Sequence, residues 1–104
     1  MFYKATIIIP VFDEINSLEK FCKKIKKTFK NISLKYVFID DGSSDGSTEW
    51  LDKNLKIIFS DSEFQLIKLN KNYGKGYSIK QGIRFVEGEH TLFIDSDLEY
   101  EPND

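Results

Sequence analysis

The chain has 104 residues, 40% hydrophobic and 31% charged, the make-up of one soluble globular domain with no room for a second. Its formal net charge of −2 and pI of about 5.4 exclude a global field that would draw it to nucleic acid or to an anionic membrane. No apolar run approaches the roughly 18 residues of a membrane span, and the N-terminus has no signal-peptide apolar stretch, so a cytoplasmic protein is expected.

In chain order, residues 4–9 are nearly continuous in apolar side chains, as a strand covered on both faces should be, and Pro10 is expected to end it. Asn16 offers an N-cap with Glu19 three residues on, a capping box, ahead of Leu18, Phe21, Cys22, Ile25, Phe29 and Ile32 at helical spacing. A second strand over 36–39 runs into Asp40, Asp41 and Gly42, which is turn chemistry. A helix over about 47–54 follows, with Trp50 and Leu51 inward. The segment 57–63 carries the weakest pattern in the chain. A third strand over 65–69 leads to a glycine-bearing loop over 70–76. The next helix, about 77–86, turns Ile79, Gly82, Ile83 and Val86 to one side, and a fourth strand spans 91–94.

This alternation predicts an α/β, Rossmann-like open parallel sheet in the order 3-2-1-4 with helices on both faces. The fourth strand would leave a bare edge, through which self-association into a homo-oligomer is expected.

Ligands of open α/β sheets gather beyond the carboxyl ends of the strands. Unusual polar residues stand at each of these ends: Asp13 and Glu14, then Asp40 and Asp41, then the loop 70–76, then Asp95, Asp97 and Glu99. If the fourth strand continues, Asp95, Asp97 and Glu99 share a face and Ser96 points away. Two unit charges ~6 Å apart repel by about 3 kcal/mol at an effective dielectric near 20, and a bound cation is the simplest relief. All-oxygen ligands favour Mg2+ or Mn2+ over zinc. A solvated acidic turn is the plain alternative.

Charge distribution points the same way. Seven of the 15 basic residues fall between positions 20 and 35, whereas positions 87–104 hold seven carboxylates and one His with no Lys or Arg. The basic cluster reads as a solvated helix face, because no aromatic interleaving accompanies it. Gly74, Lys75 and Gly76 could bring backbone N–H groups and an ammonium to a diphosphate, although the spacing is not that of a P-loop. Cys22, the single cysteine, reads as a core residue, and His90 has no neighbouring ligand that would suggest a metal role.

Taken together, IIIPVFDE (7–14), FIDDGSSDGS (38–47), NYGKGYSIKQG (72–82) and FIDSDLEYEP (93–102) resemble the family-two glycosyltransferases of GT-A fold, in particular the dolichyl- or polyprenyl-phosphate branch. The resemblance implies a nucleotide-sugar-binding part cut off after the DxD motif. It assigns Pro10, Phe12, Glu14, Asp40 and Asp41 to the nucleoside. It assigns Asp95 and Asp97 to Mg2+ or Mn2+ against the donor diphosphate, with Glu99 where the branch can place a metal-binding Gln. Lys75 and Asp95 complete the expected nucleotide contacts.

The implied reaction is inverting displacement of a UDP- or GDP-linked sugar by a polyprenyl-phosphate or saccharide acceptor. That acceptor would bring a longer protein to the cytoplasmic face of a membrane. The acceptor base is expected beyond Asp104, so the fragment alone is expected to bind donor without transferring sugar. The alternative is a non-catalytic nucleotide-binding or assembly module. A phosphoacceptor receiver domain is disfavoured, because Asn70 stands where its acceptor Asp should follow the third strand.

Overall fold

A computed structural model describes residues 3–96. Its elements are β1 (Ala5–Val11), α1 (Leu18–Thr28), β2 (Leu34–Asp40), α2 (Ser47–Ile58), β3 (Glu63–Lys68), α3 (Lys75–Ile83) and β4 (His90–Phe93). The strands form one parallel sheet in the order β3-β2-β1-β4, which is the expected α/β topology.

Every residue of β1 and β2 is buried, because helices cover both faces of the sheet. Ile7, Ile9 and Val11 of β1 and Tyr36 and Phe38 of β2 join Leu18, Phe21, Cys22 and Ile25 of α1 and Leu51 and Leu55 of α2 in the larger core. The alternate residues Ile8, Val37 and Ile39 face the other way, toward α3 and the segment after it. At Gly82 an added Cβ would lie 2.8 Å from Ile39 Cδ1 and 2.9 Å from Ile8 Cγ2. A side chain there would push α3 off the sheet.

Several boundaries differ from those expected. β1 does not stop at Pro10 but runs through it to Val11. Ile94 donates its N–H to the Ile8 carbonyl and Ser96 donates its hydroxyl to the Pro10 carbonyl, so Pro10 turns its missing donor toward the β4 side. The ladder there has already ended at Ile8 and Phe93, and the proline costs no pair. The capping box is absent: Ser17, not Asn16, is the N-cap of α1, and its hydroxyl turns back to Glu14.

α1 ends at Thr28, which leaves Ile32 exposed. α2 runs on to Ile58, with Phe59 as C-cap. Phe59 is fully buried, its ring centroid 4.6 Å from that of Tyr36 and 5.5 Å from that of Phe38. α3 begins at Lys75, two residues earlier than expected, and ends at Ile83, which is exposed instead of packed.

Thr6 and Lys35 are buried polar residues at the opposite end of the sheet from the carboxyl rim. Glu87 satisfies both. Its backbone N–H and carbonyl bond the Thr6 hydroxyl, and its carboxylate pairs with Lys35 Nζ at 2.8 Å.

Candidate nucleotide site at the carboxyl rim

The loops after β1 and β2 are stitched to each other. Asp13 N–H donates to Ser43 Oγ, Ser44 N–H to Asp13 Oδ1, Glu14 N–H to Ser47 Oγ and Ile15 N–H to Asp45 Oδ2. Asp13 takes a positive φ of 51° to fit this pattern, which a short polar side chain tolerates better than most. The consequence is that Phe12 and Glu14 are held over the end of the sheet. Phe12 is 43% exposed.

Asp40 and Asp41 are almost fully buried, at 1% and 2% exposure. Asp40 accepts from Ser43 N–H and from the Thr48 hydroxyl, which ties the loop after β2 to the first turn of α2. Asp41 reaches the other way. Its carboxylate accepts from the Asn72 amide, Tyr73 N–H and Gly74 N–H, each at 2.8 Å. Gly42 lies so close to this loop that an added Cβ would sit 2.3 Å from the Lys71 carbonyl carbon. Asp41 thus anchors the loop that starts α3.

Gly74 is the N-cap of α3, so Lys75 and Gly76 form the helix's first turn, not a loop ahead of it. From that turn Lys75 pairs with Asp95 in the segment after β4. β4 itself stops at Phe93, short of the Asp95 segment. Ser96 is buried and bonded to the Pro10 carbonyl.

These ends converge on a cavity of about 280 Å³. Pro10, Phe12, Glu14, Asp41, Lys75 and Asp95 all line it, and Asp40 does not. Asn72, Gly74, Val11 and Ser96 also line it. Of these four, Gly74 is expected from the sequence only as a source of backbone N–H groups, while Val11, Asn72 and Ser96 lie within the first, third and fourth motifs without a role of their own. Asp97 and Glu99 lie outside the described residues, and among the described residues no group of three carboxylate, His or Cys side chains could enclose a metal ion. Of the three carboxylates expected to hold a cation, Asp95 is the one among the described residues, and it lines the cavity with its side chain half exposed.

A family model described as Glycosyl transferase family 2 matches residues 6–104. The chain belongs to glycosyl transferase family 2. Among curated family 2 relatives, it is 32% identical over 103 residues to an undecaprenyl-phosphate 4-deoxy-4-formamido-L-arabinose transferase of Proteus mirabilis, covering 97% of this chain and 31% of that protein. The enzyme of the same name from Yersinia pestis is 35% identical, with the same coverage. The chain therefore spans about a third of the length of the curated relatives it matches.

Solved structures share its fold. One is the mannosyltransferase PcManGT from Pyrobaculum calidifontis, solved in complex with GDP-Man and Mn2+, with a TM-score of 0.69 and 22% identity over 91% of this chain and 28% of that one. Another is S. aureus TarS, with a TM-score of 0.73 and 23% identity over 90% of this chain and 16% of that one. Among the described residues no helix is long and apolar enough to cross a membrane.

Proposed function

We propose that the rim cavity binds the nucleoside-diphosphate part of an activated sugar, UDP- or GDP-linked, together with Mg2+ or Mn2+. The chain would then be the donor-binding part of an inverting glycosyltransferase whose acceptor is a polyprenyl phosphate or a saccharide. The observation that carries this reading is the convergence of Phe12 and Glu14 with Lys75 and Asp95 on one cavity. An exposed ring and a carboxylate can meet a base and its N–H groups, while an ammonium and a second carboxylate suit a diphosphate and its cation. Asp40 and Asp41 support the same site by fixing the loops around it.

Asp95 alone fits the cation requirement in part, because Mg2+ keeps several waters and needs only one or two carboxylates besides substrate phosphates. Asp97 and Glu99 are the residues proposed to complete that set. When bound, the cation would offset charge developing on the departing nucleoside diphosphate. The relatives' names support the polyprenyl-phosphate acceptor, and GDP-Man with Mn2+ in PcManGT supports the donor and metal class.

Calorimetric titration of UDP and GDP with and without Mn2+ tests the reading. Metal-dependent binding that disappears in Asp95→Ala and Asp97→Ala is the expected result. Binding indifferent to metal would favour the non-catalytic module, and no binding at all would overturn the donor site.

A further inference from the structure

Among the described residues, Lys75 in the first turn of α3 forms an ion pair with Asp95, two residues beyond the end of β4. Their side chains are 60% and 50% exposed, and a pair so open to water adds little to folding. The backbone beneath Lys75 is held far more firmly. Asp41 lies out of solvent and grips Tyr73 N–H and Gly74 N–H, the two residues before Lys75. Charge-assisted bonds of this kind are among the stronger ones in a protein. Lys75 is therefore a flexible four-carbon arm on a fixed base. Lys75 and Asp95 also line both the main cavity and a neighbouring hollow of about 140 Å³, so the pair stands at the boundary between the two.

We propose that Lys75 is a resident counter-cation for Asp95 that changes partners when donor binds. Without donor its ammonium neutralises the Asp95 carboxylate. With a nucleoside diphosphate and a divalent cation bound, Asp95 would hold the cation and the Lys75 ammonium, repelled by that like charge, would turn to the diphosphate oxygens. Lys suits this exchange because its charge is compact and its stem flexible. Asp41 is the positioning residue, since it sets where the arm is rooted. The inference rests on the donor-site reading above and adds a prediction that the reading alone does not make.

The test is Lys75→Met, which keeps the length and removes the charge, with two affinities measured on the same protein. Competition for Asp95 disappears, so Mn2+ alone should bind about fivefold more tightly than to the unaltered chain. With Mn2+ saturating, UDP or GDP should bind about fivefold more weakly, because the diphosphate has lost its ammonium. Lys75→Arg should keep both affinities near the original values. A purely structural role would move both in the same direction, so parallel losses overturn the inference, as do two unchanged affinities. In those two cases the unaltered chain still binds metal and nucleotide and the donor site stands. An unaltered chain that binds neither Mn2+ nor nucleotide overturns the donor site and the inference together.

Discussion

Ser78 is fully buried, and among the described residues its hydroxyl has no hydrogen-bond partner. An orphaned polar group costs about 1–3 kcal/mol, and Ala is the better helix former. Ser78→Ala is accordingly expected to raise stability by about 1 kcal/mol or more, roughly 4–8 °C in Tm for a domain of this size. A lower melting temperature would mean that the hydroxyl has a partner after all. Asp45 offers a pH test. Burial pushes its carboxyl up, but the Ser47 hydroxyl and the Ile15 and Ser47 N–H groups outweigh this and hold it below its ordinary value of 3.8. A depressed folded-state value contributes stability that is complete above the unfolded value and is lost as pH falls through the folded one. Asp45→Asn should therefore flatten the loss of stability below about pH 4 in urea titrations, and an unaltered pH profile would contradict the role given to the Asp45 bonds. Cys22 behaves as the sequence suggests, a buried thiol pushed up to about 12 by desolvation.

Element order and sheet topology were legible because β1 and β2 are apolar nearly throughout and α1 keeps a clean helical period. Boundaries were less so, each for a local reason. Pro10 reads as a strand terminator unless its missing N–H is known to face a side where pairing has ended. The segment 57–63 lacks a period because it contains the last two residues of α2, a cap, a turn and the first residue of β3, yet it holds Phe59, the residue that closes the core against Tyr36 and Phe38. Phe59→Ala is expected to cost about 3–5 kcal/mol, a large share of the about 5–15 kcal/mol typical of a domain. A loss under about 1 kcal/mol in chemical denaturation would show that the ring is not central. The site was legible as a set of residue types at strand ends. What Asp41 does was not, because its partners Asn72, Tyr73 and Gly74 lie 31 to 33 positions away and nothing in DDG announces them.

For the whole molecule, the sheet has two different ends and two different edges. Glu87 bonded to Lys35 and Thr6 closes one end, while the other gathers the cavity. Among the described residues β4 pairs only with β1, and Leu92 and Phe93 are 40% and 53% exposed. An edge strand with one free side and apolar side chains is a template for association. Self-association at high concentration, reduced by Phe93→Lys, is the expected outcome in sedimentation, and a strictly monomeric chain would contradict it. The account rests most heavily on the carboxyl rim being where nucleotide and cation meet. The direct measurement is amide-resolved NMR of the labelled chain during titration with Mn2+ and UDP or GDP. Broadening centred on Val11, Gly74, Lys75, Asp95 and Ser96, with Lys35 and Glu87 at the far end untouched, is the result the account predicts. Broadening centred on the Lys35 end, or none anywhere on the rim, would contradict it.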